Sequence, residues 1–388
     1  MTSVRIAGVG MTPFDSHPER TGRELFGSAS NEAIDDSNVP RGDIDALFYG
    51  NFMGAFAEGQ NHQGPLMADA AGLSVPATRF ESACTSSGVA VREAVSKIRG
   101  GEADVLLVGG MERMTNEPTS FVTEALATAG DELYEGRAGM TFPGAYALMA
   151  NAYFAEHGAT RADLAEIAVK NHAHALENEL AQYQREISVD DVLEAPLVAD
   201  PIGVYDASPI TDGASAAVLV SDEYARERDL DAPVSITGTG QGTDQLALQD
   251  RASLTRTPAA ERAAEEAYAD ASIGPDDVDL AEVHDCFTIA EVLALESLGF
   301  YDRGTGYQAA RDGETTRDGD LPVNLSGGLK AKGHPVGATG TAQIVELTKL
   351  LRGDHVNSDA VSDAETAITH NAGGTVASVT VHVLEVVA

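Results

Sequence analysis

Asp43-Ile44-Asp45-Ala46-Leu47-Phe48-Tyr49-Gly50-Asn51 is matched, without a gap, by Asp277-Val278-Asp279-Leu280-Ala281-Glu282-Val283-His284-Asp285. In each copy two acids flank an aliphatic residue, and a mainly apolar run follows, the pattern of a turn feeding a buried strand. Upstream the register holds: Glu32-Ala33 and Val39 answer Glu266-Ala267 and Ile273. Further up, Arg5-Ile6-Ala7-Gly8-Val9-Gly10 resembles Ser235-Ile236-Thr237-Gly238-Thr239-Gly240. Each copy reads strand, helix, turn, strand. Two matches in register predict an α/β chain of two duplicated halves, 1–222 and 223–388.

The correspondence extends to two chemistry-bearing segments. Cys84 precedes a helical run with Val91, Ala94, Val95 and Ile98 near one face, stopped by Gly100-Gly101, and a strand Val105–Val108 follows. His334 precedes a run with Ile344, Leu347, Leu350 and Leu351, stopped by Gly353, and a strand around Ala367-Ile368 follows. Both are therefore expected at helix N-termini, and a pseudo-twofold arrangement would bring them together. Roughly residues 115–204, with a helical stretch Ala162–Leu180, are too long and patterned for a plain loop and are expected to form an inserted covering subdomain. Ser208 to Val218 then reads as a turn and a buried strand.

Composition narrows the function. The chain of 388 residues carries 61 acidic against 25 basic residues, a net charge of −36, which argues against nucleic acid or an anionic membrane as a partner. No tryptophan and 5% aromatics make a base-stacking surface unlikely to have been built. No apolar run approaches the roughly 20 residues of a membrane span, and no signal-peptide pattern opens the chain. With only 2 cysteines, a cytoplasmic location is expected, and the dispersed acids suggest a salt-rich, halophilic one.

Those cysteines sit in motifs. In Glu81-Ser82-Ala83-Cys84-Thr85-Ser86-Ser87-Gly88 a thiol at a helix start is expected to feel the dipole, which lowers its pKa, and nearby N–H groups can hold an oxyanion. A buried structural cysteine explains Cys84, taken alone, equally well. Gly333-His334-Pro335-Val336-Gly337 fixes an imidazole that can accept a thiol proton. His284-Asp285-Cys286-Phe287 falls at a strand end, where open α/β sheets place ligands. His284, Cys286 and His334 could ligate zinc, but without a CxxC pair or HxxxH repeat no metal is expected. Thr369-His370-Asn371-Ala372-Gly373-Gly374 could form a second oxyanion pocket; a hairpin turn explains its glycines equally well, though not His370.

These motifs in this order, with Val108-Gly109-Gly110-Met111-Glu112-Arg113-Met114 and Ser208-Pro209-Ile210-Thr211-Asp212-Gly213-Ala214, resemble the thiolase superfamily over essentially the whole chain. The resemblance implies two βαβαβαββ-type halves in α-β-α-β-α layers. It implies that an acyl-CoA acylates Cys84 with His334 as base, and that a second acetyl-CoA condenses onto the thioester. It places His334 and a water held by His284 at one oxyanion site, and the N–H groups of Cys84 and of the turn near Ala372 and Gly373 at the other. Met140, Phe142, Ser326 and Gly327 are then expected to contact the CoA substrate. Common thiolases carry Asn-Glu-Ala-Phe at 284–287 and Cys-x-Gly at 370–372; the departures here are similar to sterol-carrier-protein-type and archaeal members. In those the cysteine of His-Asp-Cys-Phe replaces the missing base, so Cys286 is favoured for α-proton abstraction, with His370 its rival. Coenzyme A is substrate and product, and no cofactor is expected. The implied partners are acyl-CoA, further copies in a homodimer or homotetramer, a small zinc-ribbon/OB-fold protein and hydroxymethylglutaryl-CoA synthase. The expected activity is acetyl-CoA C-acetyltransferase; a longer-chain 3-ketoacyl-CoA thiolase or a non-catalytic acyl-CoA- or lipid-binding subunit are the alternatives.

Overall fold

In the computed structural model, which describes residues 3–387, the apolar runs become strands and the periodic stretches helices. The first half contains β1 (Val4–Met11), α1 (Gly22–Ser37), β2 (Ala46–Gly50), α2 (Gly54–Ala57), α3 (Gln63–Ala70), β3 (Ala77–Phe80), α4 (Ser86–Arg99) and β4 (Val105–Glu112). An inserted region follows with α5 (Thr119–Ala127), α6 (Phe142–His157), α7 (Arg161–His174), α8 (Val189–Glu194) and a small hairpin of β5 (Leu197–Ala199) and β6 (Ile202–Gly203). The chain returns through β7 (Gly213–Ser221) and α9 (Asp222–Glu227). The second half contains β8 (Val234–Thr243), α10 (Pro258–Ala271), β9 (Leu280–Val283), α11 (Thr288–Ser297), α12 (Gly306–Arg311), α13 (Thr339–Arg352), β10 (Thr366–Gly373) and β11 (Ser378–Val386).

The strands form one hydrogen-bonded sheet in the order β3-β2-β4-β7-β1-β8-β11-β10-β9. Its centre is the antiparallel junction of β1 and β8, where Arg5 stands opposite Ser235. Those residues open the two matching sequence segments, so a local twofold passes between them. Outward from it, β7-β4-β2 on one side corresponds to β11-β10-β9 on the other, with parallel pairing at β2–β4 and β9–β10. A bridge from Ala281 to Val323 stands where β3 pairs with β2.

Helix-to-sheet distance is set by glycine. A Cβ on Gly10 would meet the Ala29 carbonyl of α1 at 2.3 Å, and one on Gly240 would meet the Ala263 carbonyl of α10 at 2.0 Å. The two contacts are equivalent under the repeat. A capping box of Thr21 and Glu24 starts α1, and Asn38 in the left-handed conformation ends it.

Helices α4 and α13 bury their apolar faces between the halves: α4 touches β4, β2 and β11, while α13 touches β10 and β7. The sheet therefore folds over them, giving α-β-α-β-α layers. Strand β4 is buried on both faces, with Leu106 and Val108 facing this inner core and Val105 and Leu107 facing α1 and its neighbours. The first turns of α4 and α13 touch: a Cβ on Gly340 would meet Gly88 N at 2.3 Å, and Thr341 N–H donates to Ser87 Oγ at 3.1 Å.

In the inserted region α6 and α7 pack on α11 and α12 of the second half. Helix α7 stops at His174, short of the expected Leu180. Beyond it, Asn178 donates to Ser326 O and accepts from Leu180 N–H, so local side-chain bonds replace helical ones. No helix among the described residues is long and apolar enough to cross a membrane.

Candidate active site

Four segments meet beside the starts of α4 and α13. Cys84 sits in the turn between β3 and α4, two residues ahead of the helix; Ala83 before it has φ +50°, and Ser86 Oγ accepts from Ser82 N–H. A left-handed alanine is a strained way to present the next side chain. His334 lies three residues further from its helix, separated from α13 by Pro335 to Ala338, so the expected equivalence of the two helix-start positions is only approximate. Gly333 has φ +119°, and a Cβ there would meet Thr211 at 2.9 Å; the close approach lets His334 N–H donate to Thr211 Oγ1 at 3.1 Å. His284 and Cys286 flank Asp285 in the turn from β9 to α11, and His370 and Asn371 lie on β10.

Cys84 Sγ and one ring nitrogen each of His284 and His334 lie within 4.8 Å of one another, and the two rings are edge to face with centroids 4.9 Å apart. Sulfur and imidazole from opposite halves thus converge. Cys84, Cys286 and His334 line one cavity of about 240 Å³ with Phe52, Met114, Phe142, Tyr146, Phe287 and Gly374. Its walls are overwhelmingly apolar.

Hydrogen bonds assign the protons. Thr339 Oγ1 donates to Pro335 O and lies 2.7 Å from His334 Nδ1, so Nδ1–H donates to it and Nε2 keeps its lone pair. Asn371 Nδ2 donates to Cys84 O and to His284 Nδ1, both at 3.2 Å. The proton of His284 then sits on Nε2, a buried atom with no protein partner. One imidazole is a base and the other a donor. As protonated, the Cys84–His284–His334 group presents one lone pair and two protons, an arrangement for proton transfer. It is also the one grouping among the described residues that could surround a metal ion, with Cys84 in the place where sequence reading weighed Cys286.

Burial dominates the electrostatics. It lowers His334 to about 3 and His370 to about 4, and holds His284 well below the usual imidazole range, with His334 and His370 adding to the effect. All three are neutral at pH 7. The expected lowering of the Cys84 pKa is corrected: burial pushes it up to about 12, the charge of Glu112 adds to this, and the Gly374 N–H opposes it. Burial raises Cys286 as well. The resting pair is thiol and neutral imidazole, so the proton must leave as sulfur attacks.

Other expectations change position. Ala372 and Gly373 are locked in the β10–β11 ladder opposite Val379 and Ser378; the N–H that faces Cys84 belongs to Gly374, in the turn beyond. Ser326 is fully buried and its hydroxyl donates to Glu282 at 2.6 Å, while Gly327 packs on Ala175, so neither lines the cavity. Phe142 does line it; Met140 lies in a small neighbouring recess with Thr141 and Thr375. His370 is buried, with Nδ1 3.5 Å from His284 N, and is not a cavity residue, whereas Cys286 is. Asn371, Thr339, Thr211 and Tyr146 were given no role by the sequence, although Asn371 and Thr211 stand inside quoted motifs.

A duplicated α/β scaffold that joins a cysteine and a histidine across its seam has the parts that acyl transfer through a thiol requires. Residues 4–223 match the family described as thiolase, N-terminal domain, and residues 240–386 match thiolase C-terminal domain-like; the chain belongs to the thiolase family. It is 42% identical over 386 residues to an acetyl-CoA acetyltransferase of Methanothermobacter thermautotrophicus, covering 99% of each chain. It is 31% identical over 384 residues to sterol carrier protein 2 of Bos taurus, covering 95% of this chain and 70% of that protein. Among solved structures, the Ltp2-ChsH2(DUF35) aldolase is similar with a TM-score of 0.84 and 26% identity, covering 99% of this chain and 98% of that one.

Proposed function

We propose that this thiolase is an acetyl-CoA C-acetyltransferase, condensing two acetyl-CoA to acetoacetyl-CoA and CoA through an acetyl-Cys84 thioester. The observation that carries the reading is the meeting of Cys84, His334 and Cys286 around one apolar cavity, with a ring nitrogen of His284 within 4.8 Å of Cys84 Sγ and of a His334 ring nitrogen. In the first step His334 Nε2 takes the Cys84 proton as Sγ attacks the thioester carbonyl. The oxyanion faces the N–H groups of Cys84 and Gly374. The bond to CoA sulfur breaks, and Cys286 protonates the departing thiolate. That leaves a Cys286 thiolate and a His334 imidazolium. In the second step Cys286 removes the α-proton of a new acetyl-CoA, while His334 and a water held by the free His284 Nε2–H stabilise the enolate oxygen. Burial makes that thiolate a strong base, as a carbon acid requires. The carbanion attacks acetyl-Cys84, a carbon–carbon bond forms, and the released Cys84 thiolate recovers the proton of His334.

Intact mass after incubation with acetyl-CoA tests this. An acetyl adduct is expected in the native chain and absent from Cys84→Ala; Cys286→Ala should still acylate, more slowly for want of the acid that protonates the departing thiolate, and fail to condense. No adduct at any salt concentration would favour an acyl-CoA-binding subunit without chemistry. Normal condensation by Cys286→Ala with loss in His370→Ala would move the base to His370. The apolar cavity walls favour one second reading, a 3-ketoacyl-CoA thiolase of longer chain preference, which thiolysis rates across chain lengths would distinguish. A partner of the zinc-ribbon/OB-fold kind is part of the proposal, supported by the DUF35 chain named in the similar assembly. So are hydroxymethylglutaryl-CoA synthase as an associate, a homo-oligomeric state and a cytoplasmic location.

A further inference from the structure

In a chain with 36 more acidic than basic side chains, a half-buried guanidinium bonded to no carboxylate stands out. Arg251 is one such group, as are Arg41 and Arg79, and it is placed against the β10–β11 turn. Its Nε donates to Gln245 O at 2.9 Å, Nη1 to Thr375 O, and Nη2 to Thr375 Oγ1 at 2.9 Å and Leu246 O at 3.5 Å. Every acceptor is a backbone carbonyl or a hydroxyl. By contrast, the buried lysines Lys170 and Lys332 lie 3.1 and 3.3 Å from Glu291 and Glu346.

Two of its bonds close on Thr375, the neighbour of Gly374 in the β10–β11 turn. Gly374 is pinned independently by Tyr146, whose hydroxyl donates to Gly374 O at 3.1 Å, and its own φ is +63°. A glycine in that region has wide backbone freedom, so its N–H holds direction only if the flanking groups are fixed. Arg251 fixes one flank and Tyr146 the other. The guanidinium also places a positive charge, with Asp244 and Glu135 acting on it from nearby, behind the turn that faces the thiol, where a tetrahedral intermediate becomes negative.

We propose that Arg251 is a positioning residue for thioester chemistry at Cys84: it clamps Thr375 so that the Gly374 N–H meets the oxyanion, and its charge reinforces that donor. The inference rests on the reading of Cys84 as an acylated nucleophile. Arg251 neither lines the cavity nor touches the reacting sulfur.

The test compares two reactions of the same thiol in the full chain. Acetylation by acetyl-CoA passes through an oxyanion; alkylation by iodoacetamide displaces iodide and forms none. In Arg251→Met, the rate of Cys84 acetylation should fall about a hundredfold, the scale of a small misplacement of a catalytic group. The KM for acetyl-CoA and the alkylation rate should stay near native values. Arg251→Lys, which keeps the charge but not the planar fork, should fall between the two. Thr375→Val removes one acceptor only and should slow acetylation without slowing alkylation, which keeps the question open to test if Arg251→Met does not fold. Native-like acetylation in Arg251→Met and Thr375→Val, or equal slowing of both reactions, overturns the proposal. Absence of an acetyl adduct in the native chain would instead remove the reading on which it stands.

Discussion

The side chain of Asp285 shows how closely the site is tied to its support. It lies between His284 and Cys286, yet it turns away from the cavity to accept from Leu329 N–H at 2.6 Å, Lys330 N–H at 3.2 Å and Asn171 Nδ2 at 2.7 Å. The segment it holds leads directly to Gly333 and His334, and a Cβ on Gly328 would strike its carboxylate at 2.4 Å. Asp285→Ala would leave those donors buried without partners. We expect a loss of about 3 kcal/mol, visible as a lower denaturant midpoint. Protonation gives a second prediction at this scale. Burial holds His174 at about 3 and His370 and His382 at about 4, below the unfolded value near 6.5. Unfolded chain therefore binds more protons than folded chain between those limits. Their contribution is complete above about pH 6.5 and is lost as pH falls through the folded values, up to about 1.4 kcal/mol per pH unit for each histidine. Denaturant midpoints should be level from pH 8 to 7 and fall from pH 6 to 4; a level profile throughout would contradict the burial of neutral imidazoles.

At the scale of elements, the duplicated strand–helix unit depends on backbone contact that only glycine allows. Gly240→Ala would force a Cβ to within 2.0 Å of the Ala263 carbonyl and push α10 off the sheet. A destabilisation of about 1–3 kcal/mol is expected, with Gly42→Ala, which meets nothing within 4 Å, as the neutral control. Such units were legible in the sequence because their signals are local: acid-flanked turns, apolar runs and helix stops recur at matching positions. Cys84, His334 and Cys286 were legible for the same reason. Asn371 was not, since its function lies in reaching Cys84 O and His284 Nδ1, partners about ninety or more positions away. Ser326 and Gly327 misled because glycine-rich sequence looks the same whether it admits a ligand or, as here, Ala175 and a buried carboxylate. The pKa of Cys84 could not be read either: helix starts are visible in sequence, and depth of burial is not.

For the whole molecule, charge is the dominant surface fact. With 61 acids against 25 bases, exposed carboxylates outnumber any possible cation partner, so mutual repulsion is relieved by dissolved counterions. We predict that thermal unfolding moves to higher temperature as potassium chloride rises from about 0.1 M to above 1 M, where the screening length falls from about 10 Å to 3 Å. Equal melting at both concentrations would mark an ordinary acidic protein. Catalysis should recover with refolding as salt is restored.

Beneath that surface, α4 and α13 begin side by side at Gly88 and Gly340, each presenting its amino end towards the thiol. Main-chain N–H groups from both helix starts are therefore gathered in the interior of a strongly acidic molecule. Because this arrangement is built from main chain, mutation of surface side chains leaves it in place, and the exterior is free to adapt to its solvent.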